Sequence, residues 1–149
     1  MVQMIQRSLE RNGWTVEIEP KIKKGGTYLR HDIVAVKENR YLVIDPIITS
    51  ISIDMDIISG TKTNLYDVPE VHAHAQSLRD QVVGMSSEDE EEPEGEIEGV
   101  TINNRGLFSI HGYRALREAG ISERFLNLIS LIVLTKTYEM IRAYTSATL

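Results

Sequence analysis

The sequence predicts a mixed α/β domain, with strands gathered in the first half and helices in the second. Three observations carry this. Apolar residues recur three and four apart near the N-terminus and again over the last third of the chain, which is the period of an amphipathic helix. Residues 33–36 and 41–44 are short continuous apolar runs joined by Lys37-Glu38-Asn39-Arg40, the pattern of two strands and a tight turn. The element order, helix, four strands, helix, loop and two helices, fits neither an all-helical nor an all-β chain.

Residues 2–12 read as the first helix, with Val2, Ile5 and Leu9 on one face and Asn12-Gly13 as a left-handed stop. Residues 14–20 alternate apolar and polar and are halted by Pro20, so they are expected to form a strand. Residues 21–27 (Lys21, Lys23, Lys24, Gly25, Gly26) read as a basic, glycine-containing loop. The hairpin of 33–36 and 41–44 follows, and Pro46 then removes a ladder donor. Residues 51–57 alternate strictly, which predicts a strand with Asp54 and Asp56 on its wet face. Ser59-Gly60-Thr61 is expected to turn. Residues 64–83 read as a helix that Pro69 either starts or kinks.

From Ser86 to Gly99 the chain is acidic and nearly free of large apolar side chains, as in a mobile linker whose charges repel. Residues 100–102 suit a short strand. Ser109 is placed to cap a helix ending near Gly120, and Ser122 to cap the last helix. That helix carries Phe125, Leu128, Ile129, Ile132 and Val133, then Tyr138, Ile141 and Tyr144, a stripe expected to face the core. The domain organisation is therefore a core over 1–84, an acidic disordered loop over 85–99, and a C-terminal strand and helices over 100–149 packing on the same core.

Composition narrows the function classes. The 149 residues suit one domain able to bury a core. With no cysteine, a disulfide framework and a cysteine-based zinc site are both excluded. The N-terminal residues lack the basic start and long apolar core of a signal peptide. The apolar stretch over 125–134 is too short to span a bilayer. A soluble protein, nuclear or cytoplasmic and not secreted, is expected. The net charge of −6 is concentrated, because eight acidic residues lie between Glu88 and Glu98. Without them 14 acidic side chains face 16 basic ones, a net of +2, so a nucleic-acid partner is neither excluded nor demanded.

The candidate site lies at the ends of the hairpin. Asp32 precedes the first strand, and Asp45, after twelve intervening residues, closes the second. A short turn brings the outer ends of its strands together, so the two carboxylates should lie close in space. Such a pair suits Mg²⁺, which takes oxygen ligands, and serves metal-dependent phosphodiester cleavage. Asp also sits at strand ends for purely local hydrogen bonding, and spacing alone leaves both readings open. His72 and His74, two apart on an expected helix, point in different directions and form no zinc pair.

The run 12–20, followed by Arg30-His31-Asp32-Ile33-Val34-Ala35-Val36 and Ile44-Asp45, resembles the C-terminal endonuclease domain of site-specific non-LTR retrotransposons. That domain is itself similar to type II restriction enzymes and carries a Pro-Asp, twelve-to-fourteen residue, Asp/Glu signature. A second block, Asn104-Arg105-Gly106-Leu107-Phe108-Ser109 with Leu116-Arg117-Glu118-Ala119-Gly120-Ile121, resembles the stretch preceding the family's closing helices. Together the blocks cover nearly the whole chain except the acidic loop.

The resemblance implies a restriction-endonuclease-like mixed sheet flanked by helices, with a C-terminal helical pair. It implies an Mg²⁺- or Mn²⁺-dependent enzyme that nicks double-stranded target DNA so that the new end primes reverse transcription. It assigns Asp32 and Asp45 as metal ligands and catalytic residues. Glu19, on the preceding strand, is placed either to add a metal ligand or hydrogen-bond a metal-bound water, or to stand as an exposed strand carboxylate before Pro20. A reverse transcriptase domain is the implied neighbour, and this chain, too short to hold one, is expected to be a detached fragment or remnant copy.

The chain departs from the family pattern at three points. His31 stands where the family has proline, Pro46 follows the second aspartate, and Gln76 or Ser77 replaces the helix lysine expected after Ala73-His74. Lys62 is the only lysine between Asp45 and Lys136 and is the substitute the resemblance leaves. The alternative reading is a catalytically degenerate remnant that binds DNA or protein. Its acidic loop would dock on a basic protein surface or occupy the domain's own DNA-facing groove. A third reading, a small α/β domain with no catalytic role, makes both aspartates ordinary turn residues.

Overall fold

The structure is a computed structural model, and it describes residues 1–30, 32–49, 54–83 and 94–148. A four-stranded sheet of order β1-β4-β5-β6 lies at its centre. β1 is Thr15–Ile18, β4 Ile33–Lys37, β5 Arg40–Thr49 and β6 Glu94–Asn103. β4 pairs antiparallel with both β1 and β5, while β6 joins β5 in parallel. The sheet is mixed and flanked by helices, as the sequence predicts.

Helices α1 (Val2–Arg11), α4 (Ile110–Glu118) and α5 (Glu123–Thr148) cover one face. Ile5 and Leu9 from α1, Leu116 from α4, and Leu126, Ile129 and Val133 from α5 meet Ile33, Ala35, Leu42, Ile44, Val100 and Ile102 there. On the other face Val34, Val36, Tyr41, Val43 and Ile97 pack with Val71 and Ala75 of α3 (Pro69–Val83). Burial on both faces explains why 33–36 and 41–44 read as continuous apolar runs rather than alternating ones. The Trp14 indole N–H donates to the Ala119 carbonyl at 2.9 Å across the first core and ties the entry of β1 to the end of α4.

Several elements differ from the expectation. The expected basic loop is a second, two-stranded sheet, with β2 (Lys21–Lys24) paired to β3 (Thr27–Arg30) around Gly25-Gly26. The expected strand over 51–57 is helical from Met55, where α2 (Met55–Tyr66) begins; 51–53 lie outside the described residues. Asp54 precedes α2 and accepts from the Ile57 N–H at 3.4 Å, so the alternating pattern hides a capping residue. Ser59-Gly60-Thr61 lies inside α2, and Pro69 opens α3, where its missing N–H is harmless.

Within the expected acidic loop over 85–99, residues 85–93 lie outside the described residues, but Glu94 onward is strand. Pro46 sits inside β5, where pairing with β4 has already ended at Ile44. Ser122 caps α5, its hydroxyl accepting from the Phe125 N–H at 3.2 Å. Ser109 occupies the N-cap of α4 without a side-chain cap. The stripe on α5 only partly faces the core. Ile129 and Val133 are buried, whereas Leu128, one position from Ile129 and so on another side of the helix, and Tyr138, Ile141 and Tyr144 further along it are exposed.

Candidate active site

The strand registers place the site. β4 and β5 end their pairing at Ile33 opposite Ile44, so Asp32 and Asp45 stand opposite each other one step further. β1 and β4 end at Ile18 opposite Ile33, which puts Glu19 opposite Asp32; the Glu19 N–H donates to the Asp32 carbonyl at 3.0 Å. On the other side Asp45 faces Gly99 of β6. Glu19, Asp32, Asp45 and Gly99 thus form one row across the end of the sheet.

The fourth component comes from α2. Lys62 Nζ donates to Asp45 Oδ2 at 2.8 Å. The neighbouring Thr63 hydroxyl accepts from the Gly99 N–H at 3.2 Å, which fixes α2 against β6 at the height that delivers the lysine. The Asp45 carboxylate is nearly buried, and Lys62 is half-buried. Gln76 and Ser77 on α3 are exposed. His31 lies outside the described residues.

Burial, the hydrogen bond to Asp45, and the negative charges of Asp45 and Glu19 together push the Asp32 carboxyl up to about 6, against the opposing pull of Lys62. Two carboxylates sharing a site resist double ionisation. When protonated, Asp32 donates to Asp45. One lysine is too little positive charge for this row of acids, and two adjacent hard-oxygen groups are the donor type a small divalent cation takes. Asp32 and Asp45 therefore fit Mg²⁺ or Mn²⁺.

Glu19 acts on Asp32 by charge, but among the described residues no three His, Asp or Glu side chains converge on one point. Its left-handed backbone, φ +50°, breaks the strand alternation that would aim its side chain with the other two.

Other polar contacts on this side tie elements together. Tyr41 shares a short hydrogen bond with His72, whose Nε2 lies 2.6 Å from Asp67 Oδ1. His74 Nε2 lies 2.9 Å from Glu17 Oε1. The histidines thus bind separate partners and hold α3 to β5 and β1. Lys62, the lysine the sequence left as substitute, is brought to Asp45 by the bond between Thr63 and Gly99, a contact that no motif records.

Fold and site define a mixed α/β domain with paired carboxylates and a lysine at one sheet end. No protein-family model matches the chain. It is 29% identical over 127 residues to the retrovirus-related Pol polyprotein from type-2 retrotransposable element R2DM of Drosophila melanogaster. The match takes in 84% of this chain and 11% of that polyprotein, and it supports a retrotransposon-related origin. Among solved structures, a protein of unknown function, AF1548, covers 95% of this chain and 98% of its own length at 13% identity and a TM-score of 0.37, a likeness too loose to define a shared site. Among the described residues, no helix is long and apolar enough to cross a membrane.

Proposed function

We propose that the chain is a retrotransposon-derived DNA endonuclease domain that nicks double-stranded target DNA, the new end priming reverse transcription by a polymerase domain. The observation that carries this reading is the row of Asp32 and Asp45 with Lys62 Nζ 2.8 Å from Asp45. It joins a hard-oxygen donor pair to a single ammonium at one sheet end, and the retrotransposon match spans most of the chain.

Asp32 and Asp45 would hold Mg²⁺ or Mn²⁺, and a divalent cation there supplies Lewis-acid polarisation of a phosphate oxygen and acidification of a water. Asp45 orients Lys62. The Lys62 ammonium, held 2.8 Å from Asp45, would offset the charge that develops on the phosphoryl group. Glu19 adds negative charge that favours cation capture by its neighbours.

The test is incubation of supercoiled plasmid with the purified protein and Mg²⁺ or Mn²⁺, beside Asp32→Ala and Asp45→Ala. Conversion to open circles that disappears in both variants is the expected result. Nicking that survives Asp45→Ala would overturn the assignment.

One observation favours a second reading. Lys62 already neutralises Asp45 internally, and it arrives from α2 rather than from the α3 position held by Gln76 and Ser77. A pair so satisfied can persist in a domain that binds DNA without cutting it. Duplex binding with no nicking in either metal would select this reading.

A further inference from the structure

The β2–β3 ribbon is the direct extension of the β1–β4 pair. Thr15 faces Val36 and Ile18 faces Ile33 in one, and Lys21 faces Arg30 and Lys24 faces Thr27 in the other; the same alignment runs through both without a slip. The chain only swings at Glu19, which has φ +50°, and at Pro20. The ribbon is therefore rooted at the bond between Glu19 and Asp32. Its first row, Lys21 and Arg30, is two residues from the Glu19–Asp32 bond, at most roughly 7 Å, and its second row, Lys23 and Tyr28, is at most roughly 13 Å from it.

The two faces of the ribbon differ. Ile22 is buried and Leu29 packs with it against the α3 side of the core. That contact holds down a two-stranded ribbon that would be marginal alone. The register puts Lys21, Lys23 and Tyr28 on the opposite face. Lys21, Lys23 and the neighbouring Lys24 are exposed, and Tyr28 is 63% exposed.

Two features of this face work against the free protein. Like charges two residues apart on one strand face, as at Lys21 and Lys23, repel one another. Residues 20–30 contain no acidic residue, and among the described residues no carboxylate forms an ion pair with Lys21, Lys23 or Lys24. A chain of net charge −6 thus keeps an uncompensated basic row beside an outward-facing aromatic ring. Both features favour one occupant: an anionic polymer with regularly spaced phosphates and flat sugar–base surfaces.

We propose that the outward face of the β2–β3 ribbon is a duplex-DNA contact surface, Lys21 and Lys23 taking backbone phosphates and Tyr28 packing on a sugar or base, next to the Asp32–Asp45 pair. This deepens the endonuclease reading and rests on it for the choice of DNA. A two-stranded ribbon fits the major groove of B-DNA, and lysine contacts to phosphate position a protein without reading sequence.

The experiment measures binding of the full chain to a labelled DNA duplex by fluorescence anisotropy in EDTA over a range of salt. The proteins are wild type, Lys21→Gln/Lys23→Gln, Tyr28→Ala, and Lys136→Gln on α5 as control. The double variant should weaken binding about tenfold at low salt and flatten the slope of log affinity against log salt by about 2, since each phosphate contact contributes about 0.9. Tyr28→Ala should weaken binding about threefold or more with little change in slope, since it removes apolar contact and no charge. Lys136→Gln should do neither. The altered side chains are exposed, and unchanged urea midpoints verify the fold.

Wild type that does not bind, a double variant that binds as wild type does, an equal loss in Lys136→Gln, or ribbon-dependent binding that prefers an RNA duplex would each overturn the proposal. Plasmid nicking by the same preparations separates the two ideas. Ribbon-dependent binding without nicking keeps the contact surface and removes the nuclease; nicking with ribbon-independent binding does the reverse.

Discussion

Replacing Asp32 with asparagine is expected to make the metal-free protein more stable. The folded carboxyl titrates near 6 against an ordinary 3.8, so between those values the folded chain holds a proton the unfolded chain has released. Stability therefore falls as pH rises through that window, and the cost is complete above about pH 6. Full conversion of the difference would give about 3 kcal/mol. Asp32 is more than a third open to solvent, and screening reduces the cost to about 1–2 kcal/mol. Asparagine keeps the size and a donor toward Asp45 but carries no charge. Asp32→Asn should thus gain about 1–2 kcal/mol at pH 8, and the gain should shrink as pH falls from 6 toward 3.8. The assay is urea unfolding in EDTA, followed by the fluorescence of Trp14, the single tryptophan, which is buried. Saturating Mg²⁺ should raise the wild-type midpoint more than the variant's, since a ligand of the folded state stabilises by mass action. A variant less stable than wild type at pH 8, or a gain that does not change with pH, would refute the reasoning.

Lys62→Met keeps the length of the side chain and removes its charge; plasmid nicking should fall by about 10²–10³-fold, the scale of losing one preorganised donor, while duplex affinity stays within about threefold because at most one phosphate contact is lost. Two glycines separate tight from open packing. A methyl built on Gly95 would overlap the Tyr41 ring, whereas one on Gly60 meets nothing within 4 Å. Gly95→Ala should cost about 1–3 kcal/mol and Gly60→Ala should add about 0.5–1 kcal/mol in the helix, both read as thermal midpoints.

The acidic stretch shows how charge misdirects a sequence reading. Glu94, Glu96 and Glu98 suggest a solvated linker, yet they belong to β6, with Ile97 and Val100 buried between the layers. Burial and neighbouring charge, Glu118 for Glu96 and then Glu96 for Glu98, raise both carboxyls above the ordinary range. Removing the acidic run to test whether it blocks DNA must therefore stop short of Glu94, or it takes out a sheet strand.

By itself the sequence determined the α/β class, the β4–β5 hairpin and hence the meeting of Asp32 with Asp45. Those depend on local period and turn length, which neighbouring residues encode. It also marked the start of the last helix, where Ser122 accepts from the N–H of Phe125 three residues on. Only the tertiary structure decided the rest. The parallel pairing of β6 with β5 joins residues more than fifty positions apart, and no turn signal announces it. Lys62 reaches Asp45 because Thr63 binds Gly99, a bond between elements that share no periodicity. The basic segment after Pro20 became a ribbon because Ile22 could bury against α3, a gain of hydrophobic contact that the glycine-rich local sequence does not reveal.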